Sequence, residues 1–130
     1  MGPTREPVFK YSPAKASKII GKDVVNSMRE NIGNIKEIML DPATGRVAYV
    51  VLAFGGVFDM GAKLFAIPFS AFSYDRDEDE YYLNVTKERL KNAPSFDSAH
   101  WPPMANAQWH RDMHSFYEKR PYWEMQGTDG

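Results

Sequence analysis

The sequence contains no cysteine among its 130 residues. This absence excludes disulfide bonds, thiol catalysis and any metal site built on cysteine ligands. The remaining composition, with 43% hydrophobic and 25% charged residues, is ordinary for a soluble globular protein. The length fits one domain with an appendage.

An excess of charge of either sign is also lacking, because the formal net charge is −1. A nearly neutral chain has no overall attraction to nucleic acid or to an anionic membrane surface. The first residues lack the apolar core of a signal peptide, and no apolar run approaches the ~20 residues that cross a bilayer. We therefore expect a cytoplasmic protein without membrane insertion, and nucleic acid is not the expected partner.

Recognisable catalytic and phosphate-binding motifs are absent as well. No G-x-S-x-G sequence occurs, and the glycines at 55, 56 and 61 lack the spacing of a dinucleotide or phosphate loop. The acidic residues cluster in turns, whereas acid–base catalysis needs carboxylates in an apolar cleft that shifts their pKa values. We expect no enzymatic activity, no catalytic residue and no cofactor.

The most ordered segment is a predicted strand, Arg46–Phe54, which is apolar throughout after its first residue. The preceding residues 41–45 predict a tight turn, with Asp41 accepting backbone hydrogen bonds and Gly45 in a left-handed conformation. Strict alternation would place Tyr49 and Val51 with Val47 and Ala53 on one face, and Ala48 with Val50, Leu52 and Phe54 on the other. Both faces are therefore expected to be covered, one by a barrel interior and the other by a helix or a second subunit.

The other predicted elements are short. Residues 1–13 carry three prolines and predict an extended arm with a possible edge strand at 8–11. The pattern predicts strands at 22–27 and 34–41 separated by a turn at 28–33, a strand at 63–72 with a bulge or edge at Pro68, a hairpin at 73–85, and a short helix at 86–94.

The last third of the chain holds all three tryptophans. Trp109, Met113 and Phe116 recur at helical spacing, which predicts one amphipathic helix over 104–120 that ends before Pro121. So many aromatic side chains indicate a contact surface, either with the chain's own barrel, with a second copy or with a different protein.

Two groups of side chains resemble metal sites. His110, His114 and Glu118 are spaced four residues apart, so a continuous helix would place them on one face within reach of one metal ion. The alternative is that the histidines border a packing surface, and the zinc-protease pattern is not met because Arg111 stands where it needs glutamate. The acidic run at 75–80 lacks the glycine and the final glutamate of a calcium loop, so we expect a solvated hairpin tip.

Four segments in order resemble the PRC-barrel family, named for the cytoplasmic domain of the photosynthetic reaction centre H subunit. They are IGKDV at 20–24, LDPATGRVAYVVL at 40–52, AIPF at 66–69 and KERLKNAP at 87–94. The resemblance covers about two thirds of the chain and lies close to stand-alone bacterial members. It implies a mainly β fold, a small and strongly bent antiparallel barrel, with a short helix after the last strand and a C-terminal amphipathic helix.

The resemblance also implies an interaction or assembly module, since the family has no common catalytic motif. We expect an arm at 1–13, a barrel domain at 14–98 and an aromatic extension at 99–130, in a homodimer that binds a protein partner. The alternatives are a metal or small-ligand protein using His110 and His114, or an accessory to RNA or ribosome assembly. The expected interface residues are Tyr49, Val51, Phe54, Trp101, Trp109, Met113, Phe116, Tyr117 and Trp123.

Overall fold

A computed structural model describes residues 13–55 and 61–124. Almost all of the arm predicted at 1–13, including its edge strand at 8–11, lies outside the described residues. The described chain is mainly β, as predicted, and forms one curled sheet with three short helices.

The sheet has six strands in the spatial order β4-β3-β2-β1-β6-β5. The strands are β1 Asp23–Val25, β2 Asn31–Asp41, β3 Arg46–Phe54, β4 Lys63–Ile67, β5 Phe72–Asp75 and β6 Glu80–Leu83. The helices are α1 Ala16–Ile19, α2 Lys87–Lys91 and α3 Ala107–Phe116, with 3₁₀ turns at Phe69–Ala71 and Tyr122–Glu124.

The connection from β4 to β5 forces the sheet to curl. These strands are the two edges of the sheet but are consecutive in the chain, joined by Pro68 and the 3₁₀ turn. In a flat sheet, five strand spacings would separate the edges by about 24 Å. The five residue steps from Ile67 to Phe72 reach at most about 18 Å when fully extended, and the 3₁₀ turn shortens them further. The sheet therefore bends into a half-barrel, which confirms the strongly bent architecture.

Three details of the sequence prediction are wrong. Pro68 ends β4 instead of lying within one continuous strand, because proline fixes its own backbone and cannot donate to the ladder. Strand β2 begins at Asn31, so the turn predicted at 28–33 is shorter than expected. The sheet is also not wholly antiparallel, since β1 pairs with β6 in parallel, Val24 opposite Tyr81.

Strand β3 is covered on both faces, as predicted. Val50 and Leu52 belong to the interior cluster of the half-barrel, which also holds Ile32, Phe65 and Ile67. The opposite face of β3 belongs to a second cluster, which contains Tyr49, Val51, Ala53, Leu64, Ala66 and Met113.

A β-bulge corrects the predicted alternation along β3. Met39 pairs with Tyr49 and Leu40 pairs with Val47, so Ala48 is the extra residue on β3. Ala48 therefore joins Tyr49 in the outer cluster, while Val47 packs against the interior cluster. Strict alternation predicts the reverse, with Val47 on the face of Tyr49 and Ala48 on the face of Val50.

The two predicted turns are confirmed. Asp41 Oδ1 accepts a hydrogen bond from the Ala43 amide at 2.9 Å, and Gly45 has a φ of 75°. In the β5–β6 hairpin, Asp75 Oδ1 accepts from the amides of Asp77 at 3.0 Å and Glu78 at 3.2 Å. These aspartates therefore stabilise the turns in which they lie.

Gly33 is the position in β2 that tolerates no side chain. Its φ is 127°, and a Cβ atom added there would lie 2.2 Å from the Ala53 carbonyl oxygen of β3. Because that contact is with backbone, it can be relieved only by moving β2 away from β3.

We predict that Gly33→Ala lowers the free energy of unfolding by about 2–4 kcal/mol, the sum of left-handed strain and the backbone clash. Urea denaturation measures the loss. Gly45→Ala is the matched control, because its φ of 75° is also left-handed but no atom lies within 4 Å of the added Cβ. A loss at Gly33 no larger than the loss at Gly45 would contradict this account of the β2–β3 contact.

Candidate interaction site

The outer face of β3 is covered by the C-terminal part of the same chain. We call residues 95–124 the C-terminal cover; it consists of a loop at 95–106, helix α3 and the 3₁₀ turn Tyr122–Glu124. The cover begins at the edge of the sheet, where Phe96 and Leu64 of β4 exchange two backbone hydrogen bonds of 2.9 Å each. The edge of β4 is therefore paired at this point.

Helix α3 is shorter than the helix predicted over 104–120. It begins after Asn106, whose side chain accepts a hydrogen bond from the Trp109 amide at 3.0 Å. It ends at Phe116, because Glu118 adopts a left-handed φ of 57° and the Lys119 amide turns back to the His114 carbonyl at 2.9 Å. Glycine usually occupies such a position, so the sequence carried no sign of this end.

Helix α3 packs on Tyr49 and Val51 of β3. Val51 is 0% exposed and Met113 of α3 belongs to the same cluster. The ring of Tyr49 meets the ring of Trp109 edge-on, with centroids 5.4 Å apart, and the Tyr49 hydroxyl donates to the Met104 sulfur at 2.9 Å. Burial raises the pKa of Tyr49 to about 12, so this hydroxyl stays protonated as a donor. The predicted cover is therefore the chain's own helix.

A second contact holds the far end of the cover to the β2–β3 turn. The Tyr122 hydroxyl donates to Asp41 Oδ2 at 2.7 Å, and Arg46 Nη1 donates to the Tyr122 carbonyl at 2.9 Å. The hydrogen bond from Tyr122, together with the turn's own amide from Ala43, lowers the pKa of Asp41. Asp41 thus stabilises its own turn and also accepts a hydrogen bond from Tyr122, which lies 81 positions later in the chain.

The C-terminal end of α3 is fastened to α2. Arg89 of α2 donates to the Phe116 carbonyl at 2.6 Å, and its guanidinium lies over the Phe116 ring, 4.3 Å from the centroid. An arginine that bonds a helix's last carbonyls also satisfies acceptors that the helix leaves unpaired.

The two histidines of α3 serve the packing of the helix. His114 is 1% exposed and its Nδ1 atom donates to the His110 carbonyl at 2.7 Å, while His110 Nε2 donates to the Met104 carbonyl at 2.8 Å. Both rings pack against the rings of Tyr122 and Trp123. Burial lowers the pKa of His114, because the buried ring cannot be solvated as a cation.

The metal hypothesis required a third ligand on the same helical face. Glu118 lies beyond the end of α3, so the helical stacking from which the hypothesis was drawn does not extend to it. Within residues 13–55 and 61–124, no three His, Asp or Glu side chains form a group that could hold a metal ion.

A cleft of about 460 Å³ lies beside α3. Its aromatic and proline walls are Phe96, Trp101, Pro102, Pro103, Trp109 and Tyr117. Trp101 is 37% exposed and contacts Phe96, with ring centroids 5.0 Å apart. Burial raises the pKa of Tyr117, whose hydroxyl is enclosed.

The nine expected interface residues divide into three groups. Tyr49, Val51 and Met113 are buried beneath or within the cover. Phe54, Trp109, Phe116 and Tyr117 are half-buried and pack on one of the two clusters. Trp101 and Trp123 are each 37% exposed and retain free ring surface.

Sequence reasoning missed the contacts that hold the cover in place. Asp41 was interpreted only as a turn residue and Tyr122 only as one of the aromatic residues of the tail, and Arg46 and Arg89 were not assigned to any site. The sole available signal was the excess of aromatic residues after Ser98, which identifies a packing segment but not the residues it packs against.

A protein-family model described as PRC-barrel domain matches residues 14–90. The matched range ends at Leu90 in α2, so helix α3 and the rest of the cover lie beyond it. None of the curated proteins compared matches the chain. In the part of the chain that the structure describes, no helix is long and apolar enough to span a membrane.

The burial of His114 predicts that stability depends on pH. Because the pKa of His114 is lowered on folding, the unfolded chain binds more protons at this side chain as the pH falls through its unfolded value of about 6.5. The free energy of unfolding therefore has its full value above about pH 7.5 and decreases as the pH falls from about 7.5 to 5.5. Chemical denaturation across this range measures the slope. His114→Gln should flatten it, and a slope that stays the same in this variant would contradict the prediction.

Packing of α3 on its own barrel predicts a second result. Met113→Ala should lower the free energy of unfolding by about 2–4 kcal/mol, because it opens a cavity against Val51. The exposed Met28 provides the control, since Met28→Ala removes the same atoms from solvent.

The melting temperature of each protein should not change with protein concentration if the helix covers its own chain. A melting temperature that rises with concentration in the intact protein but not in Met113→Ala would contradict packing of the helix on its own chain.

Proposed function

The chain belongs to the PRC-barrel family, and we propose on that premise that it is a non-catalytic module that binds a protein partner through its C-terminal cover. The barrel provides the rigid support, and the cover provides the surface. The observation that carries this proposal is the exposure of Trp101 and Trp123 on a segment whose helix α3 packs against the barrel.

The exposed tryptophans belong to a surface that is already held in place. Trp101 packs against Phe96, which is paired with the edge of β4, and Trp123 packs on the buried rings of His110 and His114. An ordered aromatic ring loses little conformational freedom when a partner covers it, and tryptophan is enriched among residues that dominate binding energy.

The perturbed titratable groups support a non-catalytic role. The carboxylates with lowered pKa values are the half-buried Asp41 and the exposed Asp79 and Asp97, and each is bonded to neighbouring side chains or turn amides. Among the buried groups, His114 and Tyr49 donate hydrogen bonds that hold the cover in place, and Tyr117 packs on the interior cluster with its hydroxyl enclosed. Each therefore has a structural role that accounts for its environment.

The partner we propose is a different protein. A homodimer was expected from the family resemblance, from the apolar side chains on both faces of β3 and from the aromatic C-terminal helix, and the chain's own helix now covers the outer face of β3. Self-association is therefore no longer needed to cover that face. Light scattering on the purified chain separates the two, since a dimer persisting at micromolar concentration would make a second copy the partner.

The test compares the intact chain with the double variant Trp101→Ala/Trp123→Ala in affinity capture from its native cell. We expect the variant to recover about tenfold less of the specific partner, because two aromatic contact residues are removed. Removal of the whole cover would be a poorer test, because it would uncover Tyr49 and Val51 and create a sticky apolar face.

Met28→Ala is the matched control for this capture, since Met28 is apolar and 68% exposed on the β1–β2 turn, away from the cover. Equal recovery of the same partner by the intact chain and the double variant would contradict the proposal. The melting temperature of the double variant must match that of the intact chain for the comparison to hold.

A further inference from the structure

We propose that the cleft beside α3 receives a basic side chain, arginine best of all, presented by the partner protein. This inference rests on the proposed function and specifies the chemistry of the partner at that surface. The cleft of about 460 Å³ is walled by the rings of Trp101, Trp109 and Phe96 and is bordered by the carboxylate of Asp112.

The charges around the cleft favour a cation. Among the described residues that line it, Asp112 is the only carboxylate and none is lysine or arginine. Asp112 is exposed on α3, and its Oδ1 atom accepts one hydrogen bond from Gln108 at 2.8 Å. A carboxylate offers about four acceptor positions, so it retains capacity for a guanidinium or ammonium group. His100 at the same cleft is bonded to a second carboxylate, Asp97, at 2.8 Å.

The aromatic walls favour a cation with an apolar stem. The faces of tryptophan rings attract ammonium and guanidinium groups, and the carbon chains of lysine and arginine pack along apolar surface. A purely aliphatic side chain would fill the walls equally well, but it would take water from Asp112 without replacing the lost hydrogen bonds. An anionic side chain would meet the carboxylate of Asp112 and no lysine or arginine among the described residues that line the cleft.

Contacts between arginine and an aromatic ring occur elsewhere in the C-terminal cover. Arg89 lies over the ring of Phe116 at 4.3 Å, and Arg111 lies over the ring of Trp123 at 5.8 Å. Within the described residues, the contact found for Trp101 is with the ring of Phe96, and its 37% exposed surface borders the cleft. A partner's arginine would make with Trp101 the cation–π contact that Arg89 makes with Phe116 and that Arg111 makes with Trp123.

The experiment uses blocked tripeptides in place of the partner. Acetyl-Gly-Arg-Gly-amide, and the same peptide with citrulline or leucine in the centre, are titrated to roughly 20 mM into the intact protein. Citrulline keeps the shape and most donors of arginine but carries no charge. The indole N–H signals of Trp101 and Trp109 are followed by NMR, with Trp123 as an internal reference outside the cleft.

We expect the arginine peptide to shift the Trp101 and Trp109 signals and to bind about five- to tenfold more tightly than the citrulline or leucine peptides. Asp112→Asn should remove most of this preference, whereas Asp77→Asn, the same change at the exposed hairpin tip, should preserve it. Equal binding of the leucine peptide, or no shift of either signal with any peptide, would overturn the inference.

Failure of this inference can be distinguished from failure of the proposed function. If the partner is lost with Trp101→Ala/Trp123→Ala but is retained by Asp112→Asn with unchanged affinity, the function stands and the basic side chain is wrong. If the peptides behave as expected but the double variant still captures the partner, the cleft binds cations and the partner uses another surface.

Discussion

The short connection between β4 and β5 is the constraint on which the rest of the structure depends. Two strands at opposite edges of a six-stranded sheet are joined through Pro68 and a single 3₁₀ turn, which cannot reach across a flat sheet. The resulting curl gives the sheet one concave face, on which Val50, Leu52, Phe65 and Ile67 come together. Phe69 of the 3₁₀ turn packs on the same cluster, so the connection that bends the sheet also fills it.

The curl leaves a convex face whose apolar side chains need a cover of their own. Bulges in β2 and β3 accompany the bend, and the one at Ala48 places two consecutive residues of β3, Ala48 and Tyr49, in the outer cluster. A strand with apolar side chains on both faces cannot leave one face in water without a large exposed patch. The C-terminal cover is therefore part of the folded barrel's stability, although it lies beyond the matched family range.

The features that were predictable from the sequence are those set by neighbours in the chain. The turn at Asp41–Gly45, the β5–β6 hairpin and the two-sided burial of β3 depend on residue types within a few positions of each other. The features that were missed join distant segments: the parallel pairing of Val24 with Tyr81, and the hydrogen bond from Tyr122 to Asp41. The predicted helix α3 was too long for a different, local reason. The helix ends where Glu118 adopts a left-handed conformation, and no residue pattern in the sequence predicts that conformation for a glutamate.

The attachment of the cover explains why its histidines look like a metal site in the sequence and behave as packing residues in the structure. The cover is held at Phe96 on the edge of β4 and at Tyr122 on the β2–β3 turn, so α3 must cross the outer face between these two points. His110 and His114 lie on the side of α3 that meets the Tyr122–Glu124 turn, where each satisfies one ring nitrogen with a backbone carbonyl. An i, i+4 pair of histidines is thus compatible with a buried seam between a helix and a returning chain. What remains for function is the surface that this attachment leaves outward, which includes Trp101, Trp123 and the carboxylate of Asp112.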